Sequence, residues 1–272
     1  MKILILGSSG FLGSNLFKYL QDINLDISIA NRKQVPNYKG KQYDISDIEN
    51  IKDEFDVVYF LSAYIPGKNV LEQNLSVNLD LAQAVANRFK DSRVIFSSSV
   101  SVYKPSSFSI VEEDPKFPTT PYGMSKLDSE KILLNNCNNL VILRFSSLFG
   151  PGMKTNTFLP QIINSALLNN KINIYNPNRL QDYLYIDDAV HMISRVYGSR
   201  VTGIFNAVNG TSYSNFEMAA TISHILPNCI IEDYGGTDIS YSYSKDKWNS
   251  VFKTNNTSMY KALEKTISKY KI

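Results

Sequence analysis

A chain of 272 residues, 43% of them hydrophobic, is long enough to bury a sizeable core and fits one large domain, or one domain plus a lobe. Its net charge of +3 is spread without a basic block, which argues against nucleic acid or a membrane surface as the main partner. The two cysteines, Cys137 and Cys229, make no metal or redox spacing, no apolar run is long enough to span a bilayer, and the N-terminus lacks a signal-peptide layout, so the expectation is a cytoplasmic protein with inert thiols.

Residues 3–6 are a short continuous apolar run, the pattern of a buried parallel strand. Gly7, Gly10 and Gly13 follow, overlapping a helical pattern carried by Phe11, Leu12, Leu16, Phe17 and Leu20. Gly7 permits a sharp exit from the strand, Gly10 lets a pyrophosphate come close to the backbone, and Gly13 lets the helix pack tightly on the strand. The helix then turns its first N–H groups and positive dipole end to the phosphates. The spacing is G-x-x-G-x-x-G rather than G-x-G-x-x-G, and glycine turns between strand and helix also serve purely structural ends. Residues 26–30 read as a second strand. In a dinucleotide fold its end meets the adenosine ribose, where an acid would accept from the 2′-hydroxyl of NAD. Asn31 stands there instead, followed by Arg32 and Lys33. Arg32 can fork onto a 2′-phosphate, which favours NADP over NAD; the alternative is a solvated basic loop.

Residues 42–47 read as a short strand closing on Asp44 and Ile45. A carboxylate there can accept from the adenine amino group, with Ile45 under the ring. The competing role is a helix cap before Ile48 and Ile51, which suits Asp47 better than Asp44. Residues 56–63 are another buried strand, ending at Leu61, Ser62 and Ala63, where backbone can approach a cofactor. Residues 69–89 carry helical spacing, and Asn78 within them is expected to brace a neighbouring loop. Residues 93–99 form a strand that ends in Ser97, Ser98 and Ser99, placed where ligands sit in open parallel sheets. Residues 104–121, rich in Pro, Ser and Thr, read as a surface loop over the site. Pro121 opens a helix on which Tyr122 and Lys126, four apart, share a face. Residues 140–145 are the next strand, with Arg144 inside it and Ser146 and Ser147 after it. Gly150-Pro151-Gly152 then suggests a boundary: a dinucleotide-binding domain at 1–150, and a substrate lobe at 151–272 with some segments returning to the first domain. Within that last part we expect helices at 158–168, 216–225 and 259–270, with Glu217 in the first turn of the second, and strands at 171–175 and 203–208. A strand meets a helix at 182–188, with Asp187 or Asp188 as cap, and 234–248 is polar and aromatic.

Ser99, Tyr122 and Lys126 together point to carbonyl reduction. That reaction needs a hydride at carbon and a proton at oxygen. A free tyrosine has a pKa of about 10. A Lys126 ammonium nearby favours the phenolate and is expected to lower that value, as would an oxidised nicotinamide. Tyr122 then exchanges the proton, Ser99 donates to the carbonyl oxygen, and Lys126 hydrogen-bonds the nicotinamide ribose. Each residue alone also has an ordinary role open to it: a partly buried Tyr, a salt-bridged Lys, a loop Ser.

The segments GSSGFLG at 7–13, DI at 44–45, FSSSVSVY at 96–103, YGMSK at 122–126, LRFSSLFGPG at 143–152 and DYLYIDDAV at 182–190 resemble, in order, those of the extended short-chain dehydrogenases/reductases of the nucleotide-sugar epimerase/dehydratase kind. The resemblance implies an α/β fold with a doubly wound parallel sheet, a smaller C-terminal substrate lobe, and Ser99, Tyr122 and Lys126 as the catalytic trio. It implies cofactor contacts at Gly7, Ser9, Gly10, Phe11, Leu12, Gly13, Asn31, Arg32, Asp44, Ile45, Leu61, Ser62, Ala63, Asn78, Tyr122, Lys126 and Phe145. Ser99, Ser101, Ser147 and Arg179 are the candidate substrate contacts, no metal is implied, and the substrate is a nucleotide-diphosphate sugar. The family often dimerises through two long helices, here at 69–89 and 122–134.

Departures from the family pattern narrow the expectation. Dehydratases carry an Asp-Glu pair where this chain has Val100 and Ser101, and the related decarboxylases place a Glu there. Epimerase-reductases use a Cys and a His, whereas Cys137 and Cys229 lie far from the motif and His191 and His224 fall on helices. A family Asn that holds substrate is here Ser147, and the usual Arg before the Asp-aromatic strand is Gln181, with Arg179 the candidate to replace it on the diphosphate. What remains is NADPH-dependent reduction of a nucleotide-activated 4-keto-6-deoxy sugar, feeding surface polysaccharide. The alternatives are an NAD-dependent 4-epimerase and a non-catalytic NADP-sensing regulator, against which the intact trio argues.

Overall fold

Apolar runs too short for helices alternate with amphipathic stretches, and the runs pair into one parallel sheet. The computed structural model describes residues 1–23, 25–65, 75–106, 108–153 and 157–270. In chain order these form β1 (Lys2–Leu6), α1 (Phe11–Asp22), β2 (Asp26–Asn31), β3 (Gln42–Asp44), β4 (Val57–Phe60), α2 (Ser76–Phe89), β5 (Arg93–Ser99), α3 (Pro121–Asn136), β6 (Asn139–Phe145), β7 (Ser147–Phe149) and α4 (Phe158–Asn169). There follow β8 (Lys171–Ile174), β9 (Leu180–Tyr185), α5 (Ile186–Tyr197), β10 (Gly203–Ala207), β11 (Ser212–Ser214), α6 (Asn215–Ile225), β12 (Ile230–Asp233), α7 (Asp246–Val251) and α8 (Met259–Ile267). Among the described residues no helix is long and apolar enough to cross a membrane.

The chain divides into two compact units. One comprises Met1–Lys104, Glu112–Phe145 and Val190–Ala207; the other comprises Pro105–Val111, Ser146–Ala189 and Val208–Ile272. The change of unit falls at 145/146 rather than after 150, and 105–111 join the second unit.

The first unit holds a seven-stranded sheet in the order β10-β6-β5-β4-β1-β2-β3, parallel throughout. Because β1 has β2 on one side and β4 on the other, the chain reverses direction across the sheet there, and the crevice beyond the carboxyl ends of β1 and β4 is the expected ligand position. Side chains alternate across the sheet. Leu4, Leu6, Val58, Phe60, Val94, Phe96 and Ile142 join Ala82, Val85, Phe89 and Leu133 in one core, while Ile3 and Ile5 are buried on the opposite face. Both faces are therefore covered, as the continuous apolar runs predict. Arg93, at the start of β5, donates through Nη2 to the carbonyls of Val196 (3.0 Å) and Val201 (2.7 Å), which fixes the connection leading into β10.

Several boundaries differ from the sequence reading. The third strand stops at Asp44, and 45–50 turn into a 3₁₀ helix. Its cap is Asp44, not Asp47: Asp44 Oδ1 accepts from the Ser46 N–H (2.8 Å), because Asp44 keeps an extended backbone while the next residue has already turned. The fourth strand is shorter than expected, and 61–65 form the loop beyond it. Of the helix expected at 69–89, residues 69–74 lie outside the described residues.

The second unit carries a three-stranded sheet (β11-β9-β7) and a two-stranded one (β12-β8). The helix expected at 216 starts at Asn215. Ser214 caps it, and Glu217 closes a reciprocal capping box. Neither Asp187 nor Asp188 caps α5; both sit inside its first turn, and Asp188 instead accepts from the Thr257 N–H (2.9 Å) and hydroxyl (2.8 Å). Asp182 is buried and accepts from Ser146 Oγ (2.5 Å) and from the N–H groups of Asn209 and Gly210 (2.9 and 2.8 Å). Burial still prevails over these bonds and pushes its carboxyl up to about 6.

Candidate active site

Gly7 leaves β1 with φ +92°, a conformation that favours glycine, and a Cβ there would lie 2.9 Å from the Ser62 backbone. The glycine turn and the loop at Leu61, Ser62 and Ala63 thus pack backbone against backbone at the crevice between β1 and β4. A Cβ on Gly13 would lie 2.1 Å from Gly7 O, so helix and turn touch, as the spacing predicts. Gly10 is different: it is the N-cap of α1 with an ordinary φ of −78°, it has no side-chain cap, and a Cβ there would meet only Gly7 O at 3.4 Å. No acidic residue lies in the first turn of α1, which includes Phe11, Leu12 and Gly13. A bare helix N-terminus behind a glycine cradle fits a dinucleotide pyrophosphate.

Asn31 ends β2 buried, with its amide turned toward the glycine turn. Its Oδ1 accepts from the Ser9 N–H (3.1 Å), and its Nδ2 donates to Ser8 Oγ (2.8 Å). The Asn31 amide thus braces the turn with one N–H and one oxygen lone pair, half of its hydrogen-bonding capacity. Arg32 beside it is exposed. Asp44 is exposed as well and spends Oδ1 on Ser46. Ile45 is a buried side chain packed in the same cluster as Leu4 and Ala30. Asn78, buried on α2, braces the loop beyond β4 as predicted: its amide exchanges hydrogen bonds with Tyr64 (2.7 and 3.0 Å) and also donates to Ser125 Oγ (3.1 Å). That role leaves no donor of its amide for a cofactor. Phe145 is buried at the end of β6.

Ser99 ends β5 and caps a one-turn 3₁₀ helix. Its Oγ accepts from the Ser101 N–H (3.2 Å) and the Ser101 hydroxyl (2.9 Å). A hydroxyl has two acceptor sites and one proton, so Ser99 keeps its proton for an outside acceptor. Ser101 is therefore a support for Ser99. The helix of Tyr122 is pressed onto this loop, since a Cβ on Gly123 would lie 2.4 Å from Ser101 O. Thr120 caps that helix at the Gly123 N–H (3.1 Å).

Tyr122 is half-buried, and Lys126, one turn on, is 2% exposed. The Lys126 ammonium lies 5.9 Å from the centre of the Tyr122 ring and 4.6 Å from that of Phe96, and Nζ donates to Ser97 O (2.6 Å). The structure therefore brings Tyr122, Lys126 and the serine-rich strand end together within one unit. The expected electrostatics differ. Burial pushes Tyr122 up to about 12 and Lys126 down to about 7, so the protein on its own disfavours both charged forms. Desolvation is the cause at Tyr122, and at Lys126 it outweighs the opposing charge of Glu130.

One consequence concerns stability. Below about pH 7 the folded chain must hold a buried charge, a cost that shrinks as pH rises from 7 toward the ordinary lysine value of 10.5. Lys126→Met is expected to stabilise the protein by about 1–4 kcal/mol at pH 6, and by less at pH 9. Denaturant melts at the two pH values check this.

Sequence reasoning missed the layer behind Lys126. Glu130 and Arg144 form an ion pair, each 1% exposed: Arg144 Nε and Nη2 donate to the two carboxylate oxygens (3.0 and 2.7 Å), and Ser98 Oγ donates to the same carboxylate. Arg144 Nη1 also donates to Tyr103 Oη (2.8 Å), which in turn donates to Asn206 Oδ1 (2.6 Å). The available signal was the repeat Tyr122, Lys126, Glu130 at spacing four.

In the second unit, the two positions that depart from the family pattern meet each other, with Gln181 Nε2 donating to Ser147 Oγ. Arg179 pairs with Asp238 (3.1 Å).

Residues 3–207 match the model of the NAD dependent epimerase/dehydratase family. The chain is 26% identical over 268 residues to a dTDP-D-glucose 4,6-dehydratase of Dictyostelium discoideum, covering 82% of this chain and 62% of that protein, less than two thirds of its length. In fold it is similar to UDP-glucuronic acid 4-epimerase from Bacillus cereus in complex with NAD (TM-score 0.87, 22% identity, 99% of this chain and 98% of the other). It is also similar to MoeE5 in complex with UDP-glucose and NAD (TM-score 0.83, 22% identity, 98% of each).

Proposed function

The chain belongs to the NAD dependent epimerase/dehydratase family, and on that premise we propose that it is an NADPH-dependent reductase of a nucleotide-activated 4-keto sugar. Gly7, Gly10 and the first turn of α1 would hold the pyrophosphate of a dinucleotide whose nicotinamide would supply the hydride. Ser99, with its acceptor sites filled by Ser101, donates to the substrate carbonyl oxygen and stabilises the charge that develops there. Tyr122 gives that oxygen its proton; a phenol pushed up to about 12 is fully protonated near neutral pH, the form in which a reductase must start. Lys126 stands one turn away to stabilise the phenolate left behind. Arg179 remains the candidate for the diphosphate.

The observation that carries NADPH over NADH is the end of β2. It has no carboxylate to repel a 2′-phosphate, Asn31 faces the glycine turn, and Arg32 is exposed next to it. Arg32→Ala is expected to raise the Kd for NADPH about tenfold or more, the size of a lost charge-assisted pair, with little change for NADH. Isothermal titration with both nucleotides checks this.

A second reading, an NAD-dependent 4-epimerase, is favoured by the fold likeness to an epimerase in complex with NAD. The experiment that separates the two is direct. The purified protein is assayed for released nucleotide, then mixed with NADPH and a nucleotide-linked 4-keto-6-deoxy sugar. Stoichiometric NADPH oxidation supports the reductase. Tightly held NAD with no NADPH consumed supports the epimerase and overturns the first reading.

A further inference from the structure

We propose that Glu130 is a positioning residue for Lys126: locked by Arg144 and Ser98, its carboxylate keeps the buried Lys126 amine protonated and so able to serve Tyr122. The proposal rests on the reading of Tyr122 and Lys126 as the reacting pair and adds what governs the charge of that pair.

Tyr122, Lys126 and Glu130 follow one another at spacing four on α3, so they form a single row along one face of the helix. Lys126 is cut off from water, and among the described residues its one hydrogen bond is to the neutral carbonyl of Ser97. Tyr122 and Glu130 stand one turn to either side of it on its own helix, and Phe96 and Ser97 of β5 pack on its ammonium. Arg144 on β6 is tied to Glu130 by two hydrogen bonds. Glu130 is thus the negative charge in the row. It cannot swing away, because its two oxygens receive Arg144 Nε, Arg144 Nη2 and Ser98 Oγ.

A buried carboxylate–guanidinium pair is no better for stability than two apolar side chains of similar volume. An apolar pair could not oppose the desolvation of Lys126. Burial drives that amine down to about 7, and Glu130 is the charge that works in the other direction. An amine balanced near neutral pH is one that the loss of a single neighbouring charge tips to the neutral form.

The test is the titration of Lys126, followed by the ¹³C shift of its ε-carbon in lysine-labelled protein and assigned with Lys126→Met. Glu130→Gln is expected to lower the proton affinity of Lys126 by about tenfold or more, one unit on the pH axis, and Glu130→Asp to restore part of it. In an active enzyme Glu130→Gln also moves the alkaline limb of the rate profile to lower pH, which a merely structural residue would not do. Should Glu130→Gln fail to fold, because Arg144 is left buried and unpaired, Glu130→Gln with Arg144→Met leaves no buried guanidinium without a partner and is expected to give a fall in the same direction, smaller because the Arg144 cation is removed as well. An unchanged Lys126 titration in whichever variant folds overturns the proposal. The titration needs neither substrate nor nucleotide. An inactive wild type therefore overturns the reductase reading alone, and an unshifted titration in an active enzyme overturns this one alone.

Discussion

Tyr122→Phe is expected to reduce turnover by about 10²–10⁴-fold while leaving nucleotide binding close to that of the wild type. The substitution removes one oxygen from a half-buried ring and leaves in place the contacts that hold Lys126, since Nζ is anchored on Ser97 O and over Phe96. The helix start is also untouched: its cap is Thr120 on Gly123. The lost quantity is the proton, so the deficit falls on kcat rather than on KM. NADPH oxidation measures turnover, and quenching of protein fluorescence by added nucleotide measures binding. Full activity in the variant would remove Tyr122 from the chemistry and with it the assignment of the proton donor.

Gly13→Ala is expected to destabilise the protein at or above the roughly 1–3 kcal/mol usual for an overpacked site. The new methyl carbon would stand 2.1 Å from Gly7 O and 2.9 Å from Gly7 C, and both neighbours are backbone, so no side chain can move aside. Relief requires α1 to lift from the turn, which breaks the contact that forms the cradle. Gly10→Ala is the control. Its methyl would meet one atom at 3.4 Å in an unstrained backbone, so the melting temperature should hold while nucleotide affinity falls. Thermal melts with and without nucleotide distinguish the two. If both variants melt like the wild type and bind alike, the glycine turn is not the phosphate site.

The parts of the site legible in the sequence are those set by local chemistry. Gly7 and Gly13 announce a sharp turn and a close approach, Ser99 ends an apolar run, and the spacing of Tyr122 and Lys126 puts them on one face; the backbone realises all three. Asn78 reads correctly as a brace because a buried amide must find partners. The parts not legible have a common cause in contacts distant along the chain. Asn31 is drawn to Ser8 and Ser9, more than twenty positions away. Asp44 caps in place of Asp47 because the pairing of β3 with β2 stops at Asn31 opposite Asp44 and frees the chain to turn there. The Tyr122 phenol rises instead of falling because periodicity reports which residues neighbour each other, not how much water the fold removes from them. The pairing of Gln181 with Ser147 comes from the register of β9 against β7, which no local pattern encodes.

The strand order has a consequence for how the chain is made. β10 completes the edge of the large sheet beside β6, yet it is translated only after Ser146–Ala189, which belongs to the other unit. Neither unit is a continuous stretch of polypeptide, so neither can finish on the ribosome before the other has begun. Until residue 207 emerges, β6 carries an unpaired parallel edge, the kind of surface that recruits foreign strands. Nascent chains arrested between β9 and β10 should accordingly bind chaperones and resist solubilisation, and a few residues more of elongation should release them.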